Sequence, residues 1–139
     1  MEQMKTTKGK ELIYLAKRKG FIKLAMRKGV PAVPAYVFGC SDAYSTSKFM
    51  AEPRLWLMKN LGVSLPIGFG MLGSPLCPHP IRHTIVFGKP IIFRVEKEGF
   101  PTEKELHAAH EEYTKALFRL FDDNKVRLGY GSRQLEECA

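Results

Sequence analysis

Between Lys59 and Arg82 the chain carries no Asp, Glu, Lys or Arg, a stretch long enough to suggest a membrane-spanning helix. The same stretch holds Gly62, Pro66, Gly68, Gly70, Gly73, Pro75, Pro78 and Pro80. A helix so interrupted would leave backbone N–H and C=O groups unpaired in lipid, where no water can satisfy them. The segment therefore reads as a buried or membrane-facing loop system packed on protein, not as a span. Whatever the chain folds into must hold this irregular apolar segment against something else.

The polar side of the sequence is just as uneven. Of a net charge of +8 over 139 residues, Met1–Val30 supplies +7 from nine basic and two acidic residues. A cationic segment of this kind points to an anionic partner at that place rather than to general solubility. Three cysteines, Cys40, Cys77 and Cys138, form no CxxC pair and fit a reducing compartment with idle or packed thiols. Met1 opens directly into polar sequence, without the continuous apolar core of a signal peptide. Hydrophobic residues at 45% and charged residues at 26% exclude a collagen, a coiled-coil rod, a disulfide scaffold and a wholly disordered tail.

Local patterns give a coarse plan. Met1–Lys10 is polar and expected to fray. Glu11–Ala16 is a short apolar run suited to a strand. Lys17–Lys28 reads as a helix, with Phe21, Leu24 and Ala25 on one face and Lys19, Lys23 and Arg27 at four-residue spacing on another; Gly29 supplies its stop. Pro31–Gly39 is apolar on both sides, as a buried parallel strand would be. Strand, helix, glycine and strand in so short a space is the βαβ pattern, and the expected class is α/β. A short helix is expected around Arg54–Asn60. His83–Phe87 and Ile91–Val95 are strand-like, split by Gly88-Lys89-Pro90. Thr102 with Glu105 predicts a capping box opening a last helix to about Asn124, whose apolar stripe is Leu106, Ala109, Tyr113, Leu117, Leu120 and Phe121.

Chemistry-bearing residues are few. His107 and His110 sit three apart on the last helix, a spacing metal sites use, but no companion ligand lies at a plausible distance in sequence, and both read as solvated surface. His107 and Glu112 are turned roughly 140° from each other on a helix and cannot form a dyad. His79 and His83, in LCPHPIRH, read as polar contacts near a strand start or as pocket lining. GFGMLG (Gly68–Gly73) matches a phosphate-binding glycine pattern only formally, since it opens no helix. No nucleophile elbow, Walker loop, paired-carboxylate cleft, metal set or cofactor motif is visible. The basic helix suits a membrane surface or the phosphates of a nucleotide-bearing ligand, and a solvated face on a sheet would look the same. Nucleic acid is disfavoured, because aromatics are not interleaved with the cations.

Three ordered blocks carry a resemblance. KRKGFIKLAMRKG, with Arg18, Gly20, Phe21 and Ala25, is similar to the RGF-x-x-x-A block of the diacylglycerol acyltransferase type 2 family. VPAYVFG resembles its VP-x-x-x-FG block at Pro34, Phe38 and Gly39, and GMLGSPLCPHPIRHTIVFGKPI its glycine block at Gly70, Gly73, Ser74, Pro75, Gly88, Pro90 and Ile91. KVRLGY is similar to a closing block of the same family, and GSPLCP resembles its plant, algal and protist branch.

The resemblance implies a partial glycerolipid-acyltransferase-like layer fold, with a mixed sheet flanked by helices and its N-terminal half missing. Residues 1–139 would be the C-terminal part of one acyltransferase domain. The implied activity is O-acyl transfer from acyl-CoA to diacylglycerol at the cytosolic face of the endoplasmic reticulum membrane, without a cofactor, a metal or nucleic acid. The family's catalytic histidine block would precede Met1, so the chain alone is expected to be inactive and to contribute no catalytic residue. Its implied substrate-binding residues are Arg18, Gly20, Phe21, Pro34, Phe38, Gly39, Gly70 and Gly73, with Lys19, Lys23 and Arg27 facing CoA phosphates or lipid headgroups. Gly20 and Gly39 would permit close backbone approach, and Gly68–Pro78 would border a lipid-facing cleft. A non-catalytic basic module binding an anionic membrane or a partner protein is the rival reading.

Overall fold

The computed structural model describes residues 9–46, 51–62, 68–74, 77–95 and 100–138. The expected fraying of Met1–Lys10 falls largely on residues 1–8, and parts of the charge-free segment (63–67 and 75–76) also lie outside the described residues. Chain order is β1 (Glu11–Ile13), α1 (Gly20–Lys28), β2 (Ala35–Phe38), a 3₁₀ turn (Cys40–Asp42) and β3 (Ser45–Thr46). There follow α2 (Ala51–Leu61), β4 (Gly68–Phe69), a second 3₁₀ turn (Met71–Gly73), β5 (Thr84–Phe87), α3 (Glu103–Lys125) and β6 (Leu135–Glu137).

Helix α3 is the spine. Its start is fixed by the foreseen box: the Thr102 Oγ1 accepts from the Glu105 N–H at 3.3 Å, and the Glu105 carboxylate accepts from the Thr102 N–H at 2.6 Å. Its apolar stripe serves two clusters in succession. Leu106 and Ala109 pack with Ile22, Ala25, Met26 and Phe93, while Phe121 packs with Phe38 and Leu135. Phe38 and Phe121, both fully buried, stack at 5.2 Å and 12°.

Helix α1 starts at Gly20 rather than Lys17, because the chain first makes a turn in which the Arg18 N–H donates to the Leu15 carbonyl at 2.9 Å. It stops where glycine predicts: Gly29 is left-handed (φ 62°), and the Val30 N–H closes back on the Ala25 carbonyl at 3.1 Å. The buried face is Ile22, Ala25 and Met26; of the expected Phe21, Leu24 and Ala25, Ala25 is buried and the other two are exposed. Both triplets have the i, i+3, i+4 spacing, so spacing alone could not choose between them. Contact with α3 chooses, and it leaves Phe21 at the margin, edge-on to Tyr113 at 5.1 Å.

The strands pair differently from a βαβ unit. β1 runs parallel to β6, with Glu11 opposite Leu135; β2 runs antiparallel to β5, from Ala35 opposite Phe87 to Phe38 opposite Thr84; β3 pairs antiparallel with β4. The described residues thus form a mixed α/β structure of three two-stranded sheets, not one mixed sheet joining Glu11–Ile13 to Ala35–Phe38. β5 alternates half-buried Thr84 and Val86 with exposed Ile85 and Phe87, the signature of a half-covered antiparallel strand. The expected strand Ile91–Val95 reduces to one bridge, Ala32 to Ile91, after which Phe93 turns into the core. Proline 90, without an N–H, cannot continue the β5 ladder toward Ile91. The helix expected at Arg54–Asn60 spans Ala51–Leu61. Among the described residues no helix is long and apolar enough to cross a membrane.

Candidate functional site

Parallel pairing of β1 with β6 brings opposite ends of the chain together, and the polar residues beside that pairing form one node. Glu11, at the head of β1, is 4% exposed. Its Oε1 accepts from Arg133 Nη1 at 2.8 Å and from the Ser41 hydroxyl at 2.8 Å; its Oε2 accepts from the Tyr36 hydroxyl at 2.7 Å. The other arm of Arg133 reaches Asp42, with Nη2 donating at 3.0 Å to Oδ1 and 2.8 Å to Oδ2. The guanidinium also lies over the Tyr130 ring at 4.8 Å. A buried carboxylate is tolerated only when paired and hydrogen-bonded, and these donors meet that condition.

The node orders groups but does not activate them. Burial, then the hydrogen bond to Glu11, pushes the Tyr36 hydroxyl far above the ordinary tyrosine value, so it stays protonated. Burial, then the negative charge of Glu11, pushes up the Cys40 thiol, which disfavours a nucleophilic thiolate. Ser41 donates to a carboxylate with no imidazole between them, and it is buried. This is a positioning device: it fixes the 3₁₀ turn after β2 against β1 and the segment before β6.

Next to it opens a cleft of about 430 Å³, lined by Ile81, Arg82, Thr84, Arg127, Leu128 and Tyr130. Gly39 packs against three of these residues, Ile81, Arg82 and Tyr130. With φ at 97°, a conformation L side chains rarely adopt, Gly39 leaves no room for a Cβ, which would stand 2.7 Å from the Arg82 carbonyl oxygen and 3.3 Å from the Tyr130 hydroxyl oxygen. Three sequence blocks therefore meet here: the end of VPAYVFG, the IRHT stretch, and KVRLGY.

The residues singled out from sequence divide among three places. Phe38 and Gly39 belong to this region, and Pro34 is fully buried below it, with its carbonyl accepting from the Gly88 N–H at 2.7 Å. Phe38 and Pro34 are interior packing. Arg18, Lys23 and Arg27 are exposed and Lys19 half-buried around α1, which packs at the other core cluster with Phe21. Nothing lies within 4 Å of a Cβ at Gly20, so that glycine is not a site of close approach. Gly73 ends the second 3₁₀ turn and Gly70 directly precedes it. Gly70 is pressed against the Cys77 carbonyl, leaving no room for a side chain, while Gly73 is open. Between them Leu72 is left-handed (φ 55°) and 97% exposed, an apolar tip flanked by exposed Phe69 and Met71.

Two expectations about histidine divide. His107 is exposed, 3.7 Å from Glu111. His110 is not surface: it is buried, and its Nε2–H donates to the Leu15 carbonyl at 2.9 Å, tying α3 to the turn before α1. Its neighbours on α3 share the inward stripe, which the count of residues from Leu106 already implied. His79 Nε2 lies 3.5 Å from the Ser45 hydroxyl and His83 is exposed. No group of three or more His, Cys, Asp or Glu that could hold a metal occurs among the described residues. Arg133, Glu11, Asp42 and Arg82 went unnoticed in the sequence; the trace of them was Glu11 as an isolated acid in a cationic segment.

Comparison with known proteins decides the family. The model described as "Diacylglycerol acyltransferase" matches residues 1–136. The chain belongs to that family. Rat diacylglycerol O-acyltransferase 2 is 34% identical over 98% of the chain and 37% of its own length. Diacylglycerol O-acyltransferase 1 of Eremothecium gossypii is 33% identical over 92% of the chain and 30% of its length. Human 2-acylglycerol O-acyltransferase 3 is 34% identical over 92% and 40% respectively. The chain thus spans well under half the length of these relatives. No solved structure matches.

Proposed function

We propose that this chain is the C-terminal part of an acyltransferase domain that transfers a fatty acyl group from acyl-CoA to the free hydroxyl of diacylglycerol. The observation that carries the reading is the family match over residues 1–136, together with relatives named for that reaction. In such a transfer a general base takes the hydroxyl proton, the oxygen attacks the thioester carbonyl, and the CoA thiolate leaves. No histidine lines the cleft, and His110 is committed to Leu15, so on this reading the base comes from a part of the domain outside this chain. What the chain adds is shape and positive charge.

On the same reading the three small sheets belong to a larger layer fold. Ile85 and Phe87 on the outer side of β5, with Ile92 beyond it, are apolar and exposed, as a face covered by the rest of a domain would be. The apolar tip at Phe69, Met71 and Leu72 borders lipid, and the cations of α1 face the anionic cytosolic leaflet of the endoplasmic reticulum. On this reading Gly39 acts near substrate by shaping the cleft, while Arg18 and Gly70 would act from just before α1 and just before the second 3₁₀ turn.

The test is a chimera in which this chain replaces the matching segment of rat diacylglycerol O-acyltransferase 2. Microsomes bearing the chimera should form triacylglycerol from acyl-CoA and diacylglycerol, and the 139-residue chain expressed alone should form none. Activity of the chain alone would place the base within it and overturn this assignment. The second reading, a basic module for anionic membranes, is favoured by the exposed stripe on α1. It predicts that replacing Lys19, Lys23 and Arg27 by Gln abolishes liposome co-sedimentation at low salt while acyl transfer is absent from the chimera.

A further inference from the structure

The arginines around the node and the cleft fall into two kinds. Arg133 is held by two carboxylates and has no charge left to offer. Arg82 and Arg127, which line one cleft with Tyr130 although 45 positions apart in the chain, are exposed and have no carboxylate partner among the described residues. The Arg127 guanidinium meets the neutral Asn124 side chain, Nη2 donating to Oδ1 at 2.8 Å. Both arginines line the same cleft, whose apolar lining is Ile81 and Leu128 and whose remaining polar groups come from Thr84 and Tyr130. Burial, then the negative charge of Asp42, pushes the Tyr130 hydroxyl up, so it enters the cleft as a donor.

Two uncompensated guanidinium groups and two hydroxyls beside an apolar lining suit a ligand that carries phosphate at one end and an uncharged body at the other. We infer that the Arg82–Arg127 cleft binds an organic phosphate, the phosphate end of either CoA or an anionic glycerolipid. The Gly39 contact with the Arg82 carbonyl sets where the Arg82 backbone runs, so the node around Arg133 and the cleft are built as one piece. The acyltransferase reading supplies only the name of the soluble candidate; the cleft and its charges stand without it.

The experiment measures binding of two probes to the 139-residue chain: free CoA by calorimetry, with pantetheine as the phosphate-free control, and phosphatidylcholine vesicles with and without phosphatidate by co-sedimentation. Arg82→Gln and Arg127→Gln should each weaken the responding probe about tenfold, the loss of one charge-assisted pair, while Lys104→Gln with Arg119→Gln, exposed cations of α3 outside the cleft, changes it less than twofold. A response of CoA names the nucleotide phosphate as the source, and a response of phosphatidate vesicles names the headgroup. Arg82 makes no ion pair with the described residues, so its variant tests the cleft even where Arg127→Gln disturbs the end of α3. Overturning results are binding of neither probe above its phosphate-free control, or binding lowered by the Lys104 and Arg119 variants and not by Arg82→Gln. Acyl transfer by the chimera is read separately: a chimera that forms triacylglycerol while CoA and phosphatidate ignore Arg82 removes the cleft assignment and leaves the proposed function standing.

Discussion

Replacing Arg133 by Met keeps an unbranched apolar stem and removes the guanidinium with its charge and donors. Glu11 would retain the Tyr36 and Ser41 hydroxyls, but Asp42 would lose both bonds from Nη2. The side chains of Glu11 and Asp42 are 4% and 10% exposed, that of Arg133 21%. Removing one partner of a buried pair costs about 3–5 kcal/mol, and the partial exposure of Arg133 places this case at the lower end, about 3 kcal/mol. For 139 residues the unfolding entropy is about 0.3 kcal/mol per kelvin, so Tm should fall by about 10 °C. The assay is urea and thermal unfolding followed by far-ultraviolet circular dichroism. A double-mutant cycle with Asp42→Asn should show a coupling of about 1–3 kcal/mol. Raising sodium chloride to about 0.5 M should change the wild-type value little, since buried charges are poorly screened. A loss below 1 kcal/mol, or strict additivity with Asp42→Asn, would refute the reasoning that the node holds the two ends of the chain together.

Further expectations rest on the same region. Gly39→Ala adds a methyl 2.7 Å from the Arg82 carbonyl oxygen at a positive φ, and should cost about 2–3 kcal/mol by the same unfolding assay; a neutral result would mean the turn relaxes freely. Stability should also fall above pH 10. The phenols of Tyr36, Tyr113 and Tyr130 all hold their protons above the ordinary value of 10.0, chiefly through burial. Below that pH folded and unfolded chains are both protonated and nothing changes; above it only the unfolded chain ionises, so each such tyrosine lowers stability by up to about 1.4 kcal/mol per pH unit. Tyr36→Phe should flatten that slope, and an unchanged slope would contradict the burial of Tyr36 against Glu11.

Much of the helical frame was legible because its signals are local. The Thr102–Glu105 box, the Gly29 stop and the stripe from Leu106 to Phe121 each depend on residues within a few positions of one another. Strand pairing was not, because it depends on which distant segment arrives. β6 reads Leu-Glu-Glu, with no alternation to mark it, yet it is the partner of β1. The apolar run Pro31–Gly39 resembled a doubly buried parallel strand, whereas Tyr36 spends its hydroxyl on Glu11 and Ala35 faces outward. The buried face of α1 was ambiguous between two equal spacings. The same distinction governs the site: Gly39 and the KVRLGY segment carry local motifs, but the Arg133 node joins residues more than ninety positions apart, and its one local trace is the acid Glu11 in a cationic segment.

The most direct test of the account is the kinetic split in the chimera with rat diacylglycerol O-acyltransferase 2. If the face where the three blocks converge serves the acyl donor, Arg82→Gln should raise the KM for acyl-CoA about tenfold and leave the KM for diacylglycerol and kcat near their starting values. An unchanged KM for acyl-CoA, or a rise confined to diacylglycerol, would contradict it.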